Sequence, residues 1–161
     1  MALQNRIVGE SVVRAKDLVP HPSNWRLHGS SQLLGLSGVL GEVGWVQRVV
    51  VNKRTGYILD GHARVSLASS RDDLVPVLYV DLDPREERLV LATLDPLGAM
   101  ADRSDSEFEL LMNQIREESP EMLAVLDEIF KSSDVELLES EAESADEDPK
   151  LTTCPSCGHE F

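Results

Sequence analysis

The stretch Tyr57-Ile58-Leu59-Asp60-Gly61-His62-Ala63-Arg64 decides how this chain reads. Tyr57-Ile58-Leu59 favours a strand, Asp60-Gly61 turns the chain, and a helix is expected near Ala63 to Ser69. Backbone N–H groups at a helix start are unpaired and carry partial positive charge, so they accept anions readily. Gly61 lets a phosphate approach the main chain. Arg64, one turn in, can reach back with a forked, permanently charged donor set. His62 adds a neutral or cationic donor that titrates near physiological pH. Asp60, Gly61, His62 and Arg64 are therefore candidate phosphate- or nucleotide-binding residues. The local pattern alone favours a plainer account: Gly61 makes a tight turn, His62 is solvated and Arg64 pairs with Asp60 or Asp17.

Upstream, Val46 to Asn52 is a β-branched run joined to Tyr57-Ile58-Leu59 by Lys53-Arg54-Thr55-Gly56, which reads as a hairpin. Ser11 to Arg14 reads as a short strand, followed by an irregular path through Pro20 and Pro22. Ser30 or Ser31 is placed to cap a helix with Leu33, Leu36, Leu40 and Val43 as its apolar stripe. Gly35, Gly38 and Gly41 interrupt that stripe, from fraying or from close packing on a neighbour. Downstream, Leu74 to Val80 is a strand, and Asp83-Pro84-Arg85-Glu86 has the pattern of a capped helix start. That helix should stop before Pro96. Ser104 to Ile115 and Ser119 to Phe130 suggest a helical hairpin.

The 161 residues carry a formal net charge of −14, and its location matters. Through Asp95 there are 11 Lys/Arg and 11 Asp/Glu, whereas from Pro96 onward 4 face 18. The front part is neutral and can hold a local basic site; the acidic remainder repels nucleic acid. No apolar run approaches the roughly 20 residues of a membrane helix. Met1 to Arg6 lacks a secretory apolar block, so a cytoplasmic location and no membrane partner are expected.

Set in order, the following elements resemble the N-terminal domain of the ParB/sulfiredoxin superfamily across Val12 to Thr93: Asp17-Leu18-Val19-Pro20, Asn24-Trp25-Arg26, a helix, Gly44-Trp45-Val46-Gln47, a strand, Thr55-Gly56, the Asp60 to Arg64 turn and Val75-Pro76-Val77. Thr93 to Ala101 is similar to a branch found in phages and other mobile elements. The resemblance implies a phosphate turn at Gly61 to Arg64 and a polar contribution from Asn24 and Arg26. In partition ParB proteins that turn is Gly-Glu-Arg-Arg and helps bind CTP phosphates; here Gly61 and Arg64 match, while His62 and Ala63 differ. In sulfiredoxins His62's place holds the catalytic cysteine, so that activity is excluded. A further partition motif, Glu-Asn-x-x-Arg, would fall near Leu94-Asp95, where the amide and Arg are missing, which counts against triphosphate hydrolysis. No basic recognition helix is evident after Asp105.

At the C-terminus, Cys154-Pro155-Ser156-Cys157-Gly158-His159 looks like half a zinc ribbon, with Cys154, Cys157 and His159 as candidate ligands. Trp45 is expected in the core; Trp25 is either core or a base-stacking surface, and His21 and His28 read as solvated. The expected fold class is α+β, a small mixed sheet with surrounding helices, then a helical hairpin and an acidic tail. The expected divisions are a ParB-like domain at 1–100, the hairpin at 101–131, a disordered acidic spacer at 132–150 and the knuckle at 151–161.

Three functional readings stand. The first is a non-catalytic module binding DNA or a nucleotide, CTP or another with Mg, as a monomer or homodimer. The second is an adaptor recruiting a DNA-modifying protein partner through its tail and a Zn-binding knuckle. The third is a nuclease in which Asp17, Asp60 and His62 hold a divalent ion.

Overall fold

The computed structural model describes residues 3–118 together with Leu123, Leu126 and Asp127. Most of the second helix of the expected hairpin, the acidic spacer, and the Cys154, Cys157 and His159 knuckle lie outside the described residues. Strand β1 (Ile7–Arg14) and a 3-10 turn (Ala15–Asp17) lead through an irregular loop to helix α1 (Ser30–Val43). Strands β2 (Val49–Asn52) and β3 (Ile58–Asp60), helix α2 (His62–Ser69), strand β4 (Leu74–Val80) and helices α3 (Pro84–Ala99) and α4 (Asp105–Glu118) follow. The sheet order is β1-β4-β2-β3. It is mixed: β1 and β3 pair antiparallel with their neighbours, whereas β2 runs parallel to β4 with Val49 against Val77 and Asn52 against Val80. The chain is therefore α+β with a small mixed sheet, as its pattern implies.

Strand alternation places side chains on both faces of the sheet. Val49, Val51, Ile58, Val75 and Val77 share a cluster with Val65 and Ala68 of α2, and Trp45 packs against it half-buried. Leu59, Val80 and Leu82 form a second cluster, flanked by Val50 and by Val90 of α3. Val49, Ile58, Val75 and Val77 are wholly buried, and each such side chain contributes about 1.5–3 kcal/mol. The two clusters seat α2 and α3 on the sheet, one to each. The cavity described below is lined from both helices.

Local rules hold well where the controlling atoms are close in sequence. Asp83 accepts from the N–H groups of Arg85 and Glu86, and Glu86 Oε2 accepts from Asp83 N at 2.9 Å, completing a capping box with Pro84 inside it. Those backbone bonds, first the one from Glu86, hold the Asp83 carboxyl below its ordinary pKa. Gly56 takes φ +74° in the β2–β3 turn.

Four expectations are corrected. Helix α3 runs through Pro96 to Ala99 instead of stopping. Proline forfeits one helical bond, and the chain continues because Met100 N still donates to the Pro96 carbonyl at 3.1 Å. Neither Ser30 nor Ser31 caps α1; Gly29 is its N-cap, without a side-chain bond, and Ser30 already lies inside the helix. Gly35 is buried on a helix that packs on α2, whereas Val43 at the end of the stripe is exposed. Strand β1 begins at Ile7, because β4 is long enough to pair with it over its whole length. Finally, β2 starts at Val49 rather than Val46, the first residue with a parallel partner on β4.

Candidate phosphate-binding pocket

Gly61 is the N-cap of α2, with φ 95° and ψ 20°. A Cβ there would stand 2.9 Å from Val49 Cγ2 and 3.3 Å from Arg64 Nη2, so the turn is both left-handed and packed on one side. Val65 N donates to the Gly61 carbonyl at 2.9 Å, which opens the helix, and no side chain caps its end. The N–H groups of the first turn are thus left for a ligand or for water.

The Arg64 guanidinium does not stand free beside this turn. Its Nη2 donates to Asp60 Oδ2 at 2.7 Å and its Nη1 to the Gln47 carbonyl at 3.1 Å. The Gln47 amide also donates to Asp60 Oδ2, at 3.3 Å. On this point the plainer account is correct. Arg64 and Asp60 are spaced one helical turn apart and straddle Gly61, so their bond clamps the turn. A charge already matched by a carboxylate attracts a phosphate much less than a free one.

His62 also differs from a solvated switch. Its Nε2 accepts a 3.3 Å hydrogen bond from the backbone N–H of His21, which places the ring proton on Nδ1. Burial is the main cause that lowers its pKa below 6.5, and neighbouring His28 adds to the effect. At neutral pH the ring is an uncharged donor through Nδ1.

The loop that brings Asn24 and Arg26 to the site is anchored by a buried polar cluster. His21 is buried, not solvated: its Nε2 donates to Glu87 Oε1 at 3.0 Å and its Nδ1 accepts from Ser23 N at 3.0 Å. Thr55 Oγ1 and Asn52 Nδ2 also donate to the Glu87 carboxylate, at 3.1 and 2.5 Å. Asn52 further bonds both the carbonyl and the N–H of Leu82. The loop then curls back on itself, Asn24 N donating to the His21 carbonyl and Arg26 N to Asn24 Oδ1. Arg26 ends in an ion pair with Asp95 of α3 and lies 5.1 Å from the Trp25 ring centre. Trp25 itself is exposed, its indole N–H 3.4 Å from the Leu91 carbonyl.

These pieces enclose a cavity of about 150 Å³. All six residues singled out in the sequence line it: Asn24, Arg26, Asp60, Gly61, His62 and Arg64. Sequence reasoning missed His28, Gln32 and Asp95, and the apolar side supplied by Leu36, Leu59 and Leu91. His28 Nδ1 bonds Gln32 Oε1 at 3.0 Å, an i,i+4 pair the spacing could have suggested. Its Nε2 is buried without a hydrogen-bond partner among the described residues. Asp17 does not line the cavity, and no group of three His, Cys, Asp or Glu side chains among the described residues is placed to hold a metal. Among those residues, too, no helix is long and apolar enough to cross a membrane.

No protein-family model matches the sequence, and no curated protein does. Solved structures do. The C-terminally truncated chromosome-partitioning protein ParB from Caulobacter crescentus, complexed with CTP-γ-S, superposes with a TM-score of 0.57 at 20% identity, covering 73% of this chain and 70% of that one. Two structures of a pNOB8-like ParB N-domain match with TM-scores of 0.46 and 0.48 at 18% and 16% identity. They cover 98% and 100% of this chain, which spans 58% and 56% of theirs. The chain shares the fold of the Caulobacter ParB structure.

Proposed function

We propose that this pocket binds phosphate, as part of a nucleotide or of a nucleic acid, and that the chain is a ParB-like nucleotide- or DNA-associated module acting without catalysis. One observation carries the reading: loop residues Asn24 and Arg26 meet the Gly61 turn around a single cavity at the uncapped start of α2. In this reading the first-turn amides and the His62 Nδ1–H donate to phosphate oxygens. Arg26 supplies a guanidinium from the facing loop. Arg64 holds the turn in shape through Asp60. Asn24 braces Arg26. A magnesium ion, if required, would arrive with the nucleotide.

Calorimetric titration with CTP, ATP and a short duplex, with and without magnesium, tests the reading. CTP comes first because the Caulobacter ParB structure contains CTP-γ-S. Binding by the native chain, lost in Arg26→Ala with an unchanged circular dichroism spectrum, supports it. Silence toward every ligand removes it. The matched charges, Arg64 with Asp60 and Arg26 with Asp95, favour a second reading in that event, an adaptor whose pocket no longer takes a ligand.

A further inference from the structure

The two ion pairs in the pocket are not equivalent. Arg64 and Asp60 are 11% and 14% exposed and are cross-braced by Gln47, so neither can leave without undoing the turn. Arg26 and Asp95 are 31% and 34% exposed and come from separate elements, a loop and the last turns of α3. Beyond that carboxylate, the Arg26 guanidinium meets only the Trp25 ring among the described residues. Partly exposed ion pairs are weak and exchange partners readily.

We propose that Asp95 is a built-in competitor for the anion, occupying Arg26 until a ligand of higher charge displaces it. The inference rests on the phosphate-binding reading and adds what that reading leaves open, the class of anion accepted. A phosphodiester carries one negative charge and offers Arg26 little that Asp95 does not already give. A di- or triphosphate carries several and can take both prongs of the guanidinium. Asp95 therefore acts as a charge threshold that favours free polyphosphates over the backbone of DNA.

Displacement also has a place to be felt. Asp95 immediately precedes Pro96, which has no N–H to give the carbonyl four residues earlier. A carboxylate near a helix C-terminus opposes the helix dipole, and Arg26 offsets it. Once Arg26 turns to a ligand, residues 93–99 lose that support.

The test uses the full chain and three ligands: inorganic tripolyphosphate, CTP and a short duplex. Asp95→Asn is expected to bind tripolyphosphate and CTP roughly three- to tenfold tighter and to narrow their advantage over the duplex. Amide exchange at residues 93–99 is expected to rise when the native chain is saturated, and to be raised already in unliganded Asp95→Asn. Binding that is unchanged or weaker in Asp95→Asn overturns this inference and leaves the phosphate site intact, because Asp95 would then only steady Arg26. Binding by neither chain overturns both. Binding by Asp95→Asn alone supports competition in its strongest form.

Discussion

Substituting Gly61 by alanine isolates the feature on which the pocket is built, the close approach of a left-handed turn to Val49. Two costs combine. A non-glycine residue in the left-handed region costs about 1–2 kcal/mol. The new Cβ also stands 2.9 Å from Val49 Cγ2, and Val49 is wholly buried at the heart of the larger cluster. It has no room to retreat, and overpacking of this kind costs about 1–3 kcal/mol. The Arg64 contact at 3.3 Å adds less, although Asp60 and Gln47 restrain that side chain. Gly61→Ala is thus expected to lose about 2–5 kcal/mol.

Gly56 provides an internal control. It has φ +74°, and a Cβ there meets nothing within 4 Å, so Gly56→Ala incurs the backbone cost alone. The gain from a stiffer unfolded chain is common to both variants and cancels. Equilibrium urea unfolding, read at matched m-values, should place Gly61→Ala about 1–3 kcal/mol below Gly56→Ala. A Val49→Ala background, which opens space for the Cβ, should recover at least about 1 kcal/mol of the Gly61→Ala loss in a double-mutant cycle. Equal losses at Gly61 and Gly56, to within about 0.5 kcal/mol, would refute the steric argument. So would a cycle with no coupling.

Three further outcomes follow from the same geometry. Glu87→Gln turns one of the accepting oxygens of a buried carboxylate into a donor facing other donors, and should cost about 2–3 kcal/mol in urea; a loss below about 0.5 kcal/mol contradicts the cluster as described. His62 should titrate below 6.5 by NMR, since burial disfavours its charged form. Because the unfolded ring binds a proton more readily, the neutral ring stabilises the fold above 6.5, and that contribution disappears as pH falls through the lower folded value. His62→Phe should therefore flatten the acid side of the stability profile, and an unaltered slope argues against it. Pro96→Ala should stabilise the chain, by about 1–3 kcal/mol, by restoring a helical hydrogen bond in α3; a loss in its thermal melt would show that the proline is accommodated some other way.

What the sequence disclosed depended on how far each residue's decisive partner lies along the chain. The α3 capping box is closed by atoms within three residues, and Asp83-Pro84-Arg85-Glu86 announces it. The bounds of β4 were legible from the β-branched run itself, although its strand partners in β1 and β2 lie far away along the chain. His21 read as solvated because its partner is Glu87, 66 residues away, and nothing in Pro20-His21-Pro22 hints at a buried acceptor. The six pocket residues were located by the order of elements, an inference about fold. The pairing of Arg64 with Asp60 was legible as an i,i+4 pair, with Asp17 as the alternative, whereas the pairing of Arg26 across the loop to α3 was not. Asp95 was overlooked because it was weighed as the site of a missing motif rather than as a carboxylate facing Arg26.

The charge pattern bears on what such a site can do. Long-range attraction of an anion needs uncompensated positive charge, and this pocket pairs each of its two guanidiniums with a carboxylate. The excess of −14 carried by the rest of the chain adds a repulsive background. Nucleic-acid affinity grows with the number of phosphates neutralised, and a cavity of about 150 Å³ contributes few such contacts. Short-range exchange is different. On the proposed reading it depends on first-turn amides, a neutral His62 donor and one guanidinium that changes partners, and it favours a compact ligand with its charge concentrated at one end. On that account, raising salt should weaken ligand binding only modestly, with a slope near that of a single ion-pair exchange. A steep dependence would mean that several cations outside this pocket hold the ligand instead.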